Sequence, residues 1–386
     1  MKWHSVPLED LSVKRGGSVN PEKFPDETFE LFSIPAFDTG KAEVCKGKEI
    51  GSAKKCVEPN DVLLSRIVPH IRRSWVVGES LGYRQIASGE WIQFRSDNVF
   101  PKYLKYFLIS DPFHKLFMST VSGVGGSLLR ARPSEVYKIE IPLPPLPEQK
   151  RIAAILDAAD ALRNQRRQSI AELDLLLQST FLEMFGDPVE NPKGWEIVKI
   201  EDVTQSRLGK MLDKGKESSD EQYPYLANFN VQWGKIELSE LRCMNFNKLD
   251  REEFSLCNGD LLICEGGEVG RAAIWRQEGK EIFFQKALHR VRVNKSLTTP
   301  EYIQRYFWSM AKNGGFDSFA NSATIPHLTG VKLKNLPLPL PPLDKQEKFA
   351  EIVETIEAQK ERLQAHLTEL DTLFASLQQR AFNGEL

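Results

Sequence analysis

The sequence predicts an α+β protein with two mixed α/β domains in tandem, each followed by a long helix, and the two helices pair as an antiparallel coiled coil. Three observations predict this fold. The chain repeats itself along its length, two stretches carry apolar residues at helical spacing, and short runs such as WIQF and HRVRV have the composition of strands. With 386 residues, the chain is also long for a single core and suggests about two or three domains.

The repeat is clearest where a proline run meets the start of a helix. IPLPPLPEQKRIAAIL at residues 141–156 returns as LPLPPLDKQEKFAEIV at residues 338–353, without a gap. Farther upstream, PKYLKYFLIS at 101–110 corresponds to PEYIQRYFWS at 300–309. The whole chain therefore reads as a duplication, in which each half is a globular domain, a proline run and a helix.

The repeat predicts four segments. They are a first globular domain over residues 1–140, a proline join and central helix over 141–186, a second globular domain over 187–335, and a proline join and C-terminal helix over 336–386. Each globular domain should also contain one helix, at about 101–119 and about 300–313. The proline runs favour extended polyproline II geometry, which predicts a stiff spacer that continues neither a strand nor a helix.

The two long helices are predicted from apolar spacing. A helix from 147 to 185 would hold about 39 residues and measure roughly 58 Å at 1.5 Å per residue. A narrow apolar stripe favours a seam between the two helices, although packing of each helix on its own globular domain is the alternative. The first stripe contains Ile152, Ile155, Ala159, Leu162, Ile170, Leu173, Leu177, Thr180 and Met184, and the second contains Phe349, Ile352, Ile356, Leu363, Leu367, Leu370, Phe374, Leu377 and Ala381.

Composition and motifs exclude several classes of protein. No P-loop, methyltransferase catalytic tetrapeptide or nuclease arrangement occurs, and SGVGGS and EGGEVG lack the context of nucleotide-binding loops. Five cysteines without a CxxC pair predict small buried thiols rather than zinc ligands. We therefore expect no catalytic residue, no metal site and no cofactor. No apolar run is long enough for a membrane span, and we expect a cytoplasmic location.

Polar and basic loops recur at matching places in both halves and are typical of nucleic-acid contact. Arginine can bond two acceptors on a guanine edge, and glycine lets the backbone approach phosphates. Taken singly, each loop reads as an ordinary solvated loop, and the net charge of −2 argues mildly against a protein that coats nucleic acid alone. The candidates chosen for charge and loop position are Arg15, Arg66, Arg72, Arg73, Arg207, Lys210, Arg271, Lys286 and His289.

Together the two joins, their helices and the segments DVLLSR, GDLLICEGGEVG and NSATIPHLTGVKLKNLPLP resemble the DNA-specificity (S) subunit of type I restriction-modification systems. The resemblance covers essentially the whole chain. It implies a non-catalytic subunit that binds two methyltransferase (M) subunits and, in the full complex, restriction/translocase (R) subunits. Each globular domain would then be a target-recognition domain that reads one half of a bipartite site in double-stranded DNA, and the helices would set the unread spacer.

The resemblance also implies further DNA-contacting residues in one loop of each half. They are Ser122, Gly126, Ser127 and Arg130 in the first half, and Asn321, Ser322, Thr324 and His327 in the second. The first half departs from the family pattern, with SLLRAR where the second has TIPHLT. Matching places also carry different side chains, because Arg66 corresponds to Glu265 and Arg130 to His327. A protein-interaction scaffold with duplicated domains that do not bind DNA is the alternative function.

Overall fold

The computed structural model describes residues 3–14, 16–123, 129–212, 222–277, 279–316 and 327–386. The chain divides into two units, Met1–Gln168 with Gln364–Leu386 (unit 1) and Ser169–Leu363 (unit 2). The division falls within both long helices, α5 (Leu146–Phe185) and α10 (Leu343–Asn383). The first begins one residue before the predicted start at 147 and ends at the predicted residue.

Unit 1 is a mixed domain with two sheets. Its strands are β1 (Ser5–Pro7), β2 (Ser18–Val19), β3 (Thr28–Phe32), β4 (Glu43–Lys46), β5 (Lys54–Cys56), β6 (Val62–Ser65), β7 (Ser74–Val76), β8 (Arg84–Ala87), β9 (Trp91–Phe94), β10 (Val121–Ser122), β11 (Arg130–Ala131) and β12 (Glu140–Pro142). Its short helices are α1 (Ile34–Thr39), α2 (Pro101–Leu108), α3 (Asp111–Ser119) and α4 (Pro133–Val136). One sheet has the order β2-β5-β8-β3-β4, the other has the order β7-β6-β9, and β1-β12 and β10-β11 form ribbons.

Unit 2 has a related organisation. Its strands are β13 (Glu196–Lys199), β14 (Thr204–Leu208), β15 (Gln222–Leu226), β16 (Val231–Gln232), β17 (Lys235–Ile236), β18 (Arg242–Asn245), β19 (Leu261–Cys264), β20 (Ala272–Ile274), β21 (Phe283–Phe284), β22 (Leu288–Val293) and β23 (Pro337–Leu340). Its short helices are α6 (Ile200–Val203), α7 (Lys248–Glu253), α8 (Pro300–Lys312) and α9 (Gly330–Lys334). The sheets have the orders β14-β22-β19-β20 and β18-β15-β21, beside the ribbons β13-β23 and β16-β17.

The two long helices pair in antiparallel fashion, as the sequence predicts. In unit 1, Arg151 of α5 donates to the Leu386 carbonyl at 2.6 Å, and Arg163 pairs with Asp371 of α10 at 2.6 Å. The residue number rises on one helix as it falls on the other. In unit 2, Lys360 pairs with Asp174 at 2.7 Å.

The same helices also close the core of each unit, so both alternatives for the apolar stripes hold in part. In unit 1, Phe374 and Phe382 of α10 meet the rings of Tyr106 and Tyr103, with centroids 5.9 and 5.6 Å apart. In unit 2, the rings of Phe181, Phe185, Tyr302 and Phe349 form one cluster with centroids 5.0 to 5.9 Å apart. Burial of these aromatic faces stabilises the packing of the long helices against α2 in unit 1 and α8 in unit 2.

The proline joins are partly strands, so the predicted spacer that continues no strand is wrong. Pro142 stands opposite Ser5 in the β1-β12 ribbon, and Pro337 and Pro339 stand opposite Lys199 and Ile197 in β13-β23. Proline is compatible with a two-stranded edge because its nitrogen, which lacks a hydrogen, can face away from the partner strand. Each join therefore belongs to its globular domain up to the residues that precede the helix.

A buried glutamine fixes each helix start to its domain. Gln149 donates from Nε2 to the carbonyls of Asn98 at 3.0 Å and Pro144 at 2.8 Å, while its Oε1 accepts from the Phe100 amide at 2.7 Å. Gln346 makes the equivalent bonds in unit 2, to the Leu297 and Pro341 carbonyls and from Thr298 and Thr299. Both side chains are fully buried, which makes these glutamines part of the duplicated framework.

A buried carboxylate is the second element of that framework. Asp61 accepts from Nε and Nη2 of Arg95 at 2.5 and 2.7 Å and from the Glu58 amide at 2.8 Å. Asp260 accepts from both corresponding nitrogens of Arg292 at 2.7 Å and likewise bonds an amide three residues upstream. These pairs fix the starts of β6 and β19, the strands that lead into the candidate loops.

Two further predictions differ from the structure. The helix expected at about 101–119 is two helices, because Ser110 caps α3 by accepting from the Phe113 amide and Pro112 favours a first-turn position. The helix expected at about 300–313 is the single α8, as predicted.

The cysteines were expected to be small buried thiols. Cys264 is buried, but Cys243 and Cys257 are exposed. Cys243 lies on β18, an edge strand, so one face of it meets solvent.

Candidate nucleic-acid interface

In both units the candidate loops begin where a buried central strand ends. β6 ends at Ser65, and the carbonyl of the next residue, Arg66, accepts from the Ala131 amide at 2.8 Å. β19 ends at Cys264, and the Glu265 carbonyl accepts from the Leu328 amide at 2.7 Å. The same main-chain bond thus recurs in the two copies, and it places Arg66 beside Arg130 and Glu265 beside His327.

Unit 1 gathers three cations around one carboxylate at this place. Nε of Arg66 lies 2.8 Å from Glu90 Oε2, and Nη2 of Arg130 lies 3.6 Å from Glu90 Oε1. Lys55 donates to the Trp91 carbonyl at 2.7 Å, and burial, followed by the charge of Arg66, lowers its pKa while Glu90 opposes that shift. Ser122 faces Arg130 across the β10-β11 ribbon. The group carries excess positive charge, which favours the approach of an anion.

Two further predicted residues of unit 1 are held by acids. Arg73 forms a bidentate salt bridge with Asp38, in which Nε and Nη2 each donate to one carboxylate oxygen at 3.1 Å. Its side chain is only 10% exposed. Arg72 pairs with Asp111 at 2.6 Å and donates to the Ile109 carbonyl at 3.2 Å. Both arginines therefore fasten the loop after β6 to neighbouring helices.

Unit 2 builds its loop from different side chains. Arg271 donates through Nη2 to Oδ1 of Asn228 at 2.7 Å and to the Asn228 carbonyl at 2.9 Å. Asn228 in turn donates to the Gly266 carbonyl at 2.8 Å. The His327 ring lies so close to Gly266 that a Cβ there would approach it to 2.8 Å, so any larger residue would displace the ring. Arg271 and His327 thus flank one fixed turn.

His289 is placed inside unit 2. The side chain is buried, and its Nε2 lies 3.1 Å from the Leu328 carbonyl. Because a carbonyl only accepts, Nε2 carries the proton. Burial lowers the pKa of His289, opposed by the charge of Glu265 and by the bond to Leu328, so the ring is neutral at pH 7. This histidine holds the chain that follows His327.

The remaining predicted cations of unit 2 lie along β14 and the turn before β22. Lys210 is bound by Oδ2 of Asp250 and by the Asn245 carbonyl, both at 2.6 Å, and Arg207 pairs with Glu253. Lys286 is exposed, and its amide donates to the Lys210 carbonyl at 2.7 Å. The structure therefore brings Lys210 and Lys286 together at the level of the main chain.

Six predicted residues lie outside the described residues, and their DNA contacts remain predictions. They are Arg15, Gly126, Ser127, Asn321, Ser322 and Thr324. In the part of the chain that the structure describes, no three His, Cys, Asp or Glu residues are grouped as metal ligands require. No helix within the same ranges combines the length and apolar character that a membrane span needs.

One known protein family matches both halves of the chain. The family model described as the type I restriction modification DNA specificity domain matches residues 2–172 and again residues 192–371. The chain belongs to this family. Two specificity-domain copies thus account for most of its length and coincide with the duplication in the sequence.

Curated relatives of this specificity-domain chain are type I specificity subunits from bacteria and an archaeon. The EcoKI specificity subunit of Escherichia coli is 23% identical over 75% of this chain and 66% of its own length. A putative specificity subunit of Haemophilus influenzae is 26% identical over 58% and 57%, and the MjaVIII subunit of Methanocaldococcus jannaschii is 26% identical over 57% and 55%. The chain therefore spans less than two thirds of the length of these relatives.

Solved structures share the fold of this specificity-domain chain. One, from work on complex assembly and conformational transition of the type I R-M system, aligns over 100% of this chain and 98% of its own with a TM-score of 0.61 and 20% identity. The type I S subunit of M. genitalium aligns over 98% and 96% with a TM-score of 0.56 and 14% identity. These likenesses support the two-domain, two-helix fold.

Several residues of the specificity-domain loops were not predicted from the sequence. Glu90, Lys55 and Asn228 contact or surround the predicted arginines, but each lies in a different segment of its unit. No spacing rule joins Asn228 to Arg271, 43 residues later. The duplication was the one sequence signal that could have found them, because residues that flank the matched strands lie together in the folded loops.

Proposed function

We propose that this chain is the sequence-specific DNA-recognition subunit of a type I restriction-modification complex. It reads a bipartite site in double-stranded DNA through two recognition domains, residues 1–140 and 187–335, and it recruits two M subunits and the R subunits without catalysing a reaction itself. Because the proposed target is the DNA of the cell and its invaders, the protein would act in the cytoplasm. Membership of the specificity-domain family supports this proposal.

One observation supports it most directly. The two copies keep the same buried framework, with Gln149 and Gln346 at the joins and Asp61 and Asp260 before the central strands. At the ends of those strands, the side chains differ in charge and size. A constant scaffold with variable strand-end loops suits a pair of readers for two unlike half-sites.

The predicted contacts among the described residues fall into three groups within this proposal. Arg66, Arg130 and Ser122 in domain 1, and Arg271, His327 and Lys286 in domain 2, are proposed to face DNA. Arg72, Arg73 and His289 are proposed to act indirectly, since acids or a carbonyl engage them. Arg207 and Lys210, which also pair with acids, are proposed to contact phosphates at the edge of the interface.

The test is to co-express the chain with its methyltransferase partner and to map methylated adenine across the host genome. The expected result is a split motif with two constant halves and an unread gap. Exchange of residues 1–140 for another such domain should change one half and preserve the other. If no split motif emerges and the purified assembly binds DNA without dependence on salt, a protein-interaction scaffold replaces this proposal.

A further inference from the structure

Glu90 anchors both the main chain and the side chain of Arg66. Its amide donates to the Glu90 carbonyl at 3.0 Å and its Nε pairs with Glu90 Oε2 at 2.8 Å, so both ends of the residue are fixed by one partner. Among the described residues, the structure gives the two terminal Nη groups no hydrogen-bond partner, and the side chain is 33% exposed. Within the described part of the chain, the guanidinium therefore has its Nε edge anchored by Glu90 and its outer edge, the two Nη groups, without a partner.

That outer edge matches one base. Two parallel N–H groups of arginine bond O6 and N7 of guanine in the major groove, whereas adenine, cytosine and thymine present other patterns. An arginine already fixed through Nε loses less rotamer freedom on binding than a free one. Arg130, at 3.6 Å from the same carboxylate, and the nearby Lys55 add positive charge that attracts the phosphate backbone.

Unit 2 has no equivalent of this arrangement at the matching positions. Ser65 pairs with Trp91 in β6-β9, and Cys264 pairs with Leu288 in β19-β22. The residues just before Trp91 and Leu288 are Glu90 and Ala287, which are therefore equivalent. Glu265 occupies the place of Arg66, and His327 occupies that of Arg130. At this strand-end position, an arginine oriented by a carboxylate therefore occurs in domain 1 and not in domain 2.

We propose that Arg66 reads a guanine in the half-site of domain 1 and that Glu90 is its positioning residue. This inference rests on the proposed function. The guanine belongs to the half-site that domain 1 reads, and the loop after β6 recognises it.

The experiment uses the full chain in complex with its methyltransferase partner and the split motif that the wild type methylates. Arg66→Ala should relax one G·C pair, in one half only, by roughly 10- to 100-fold. Duplexes with 7-deazaguanine at that position lack the N7 acceptor. They should bind the wild type several-fold more weakly than normal duplexes, whereas the Arg66→Ala complex should bind both duplexes equally.

Glu90→Gln separates positioning from folding. It should lower discrimination at the same G·C pair and raise binding to unrelated DNA, because it removes a negative charge from the surface; damage to the fold would lower both. Arg84→Ala is the matched control, since Arg84 is also half-exposed and also pairs with an acid, Glu27 at 3.9 Å. It should leave that position unchanged.

Three results would overturn the assignment. Arg66→Ala could weaken methylation equally at every sequence, the relaxed pair could be other than G·C, or 7-deazaguanine could affect wild type and variant alike. In each case the wild-type split motif would still stand, so the proposed function would survive. Absence of any split motif in the wild type would instead remove the proposed function and this inference together.

Discussion

Replacement of Gln149 by Met would test the junction between the first globular domain and α5. Met has nearly the volume of Gln but no donor or acceptor of comparable strength, so the core keeps its packing while three hydrogen bonds disappear. The bond to Pro144 is buried, and loss of a buried partner costs about 1–3 kcal/mol. The two part-buried bonds contribute about 0.5–1.5 kcal/mol each. With midpoints of about 2, 1 and 1 kcal/mol, the sum is about 4 kcal/mol.

For a domain of 150–250 residues, about 4 kcal/mol corresponds to a fall of about 8–16 °C in Tm. Urea unfolding would measure the loss of stability. Hydrogen exchange by NMR should show faster exchange at the Phe100 amide and no change at the Thr299 amide. Gln346→Met should give the mirror pattern, and Gln379→Met, at an exposed site on α10, should change neither amide. If Gln149→Met unfolds like the wild type and Phe100 stays protected, the glutamine does not fix the junction and the reasoning is refuted.

Three further predictions concern the rest of the framework. Asp61→Asn should destabilise unit 1 by about 2 kcal/mol in urea unfolding, below the 3–5 kcal/mol of a fully buried pair, because Arg95 is 38% exposed; an unchanged midpoint would contradict this. Burial lowers the pKa of His289, so the unfolded chain takes up a proton first as pH falls below about 6.5. Unit 2 should therefore lose stability from pH 7 to 5, and His289→Gln, which can still donate to Leu328, should flatten that loss; equal slopes would count against it. Seven residues inserted into each long helix add about 10 Å, and the mapped motif should gain a longer unread gap with both halves unchanged, whereas an unaltered gap would exclude the helices as spacers.

Much of the architecture could be predicted because it is written in local patterns. Apolar spacing of three and four gave α5 to within one residue at its start, and self-comparison revealed the duplication that the family model matches twice. The recurrence of basic and polar loops at matching places in the two copies indicated the candidate loops. Helical periodicity and internal repeats need no knowledge of distant contacts, which is why they succeed.

The contents of the candidate interface were harder to predict because they depend on pairings between distant segments. Charge and loop position made Arg66, Arg73 and His289 equivalent candidates. The structure separates them. Among the residues it describes, the Nη groups of Arg66 have no partner, whereas Arg73 pairs with Asp38 and His289 is buried against Leu328. Strand register and packing across a sheet decide which side chain faces solvent. The spacing of residues in the sequence reveals neither the register nor the packing.

The proline joins show the same division. The sequence by itself determined that the join occurs twice, that a long helix follows it and that Gln149 and Gln346 occupy matching places. Only the tertiary structure decided that the prolines pair as edge strands and that each glutamine closes a buried set of main-chain bonds. The physical reason is that a polar side chain becomes structural only when folding removes water from its partners. Two of those partners, the Asn98 and Leu297 carbonyls, lie some 50 residues away along the chain.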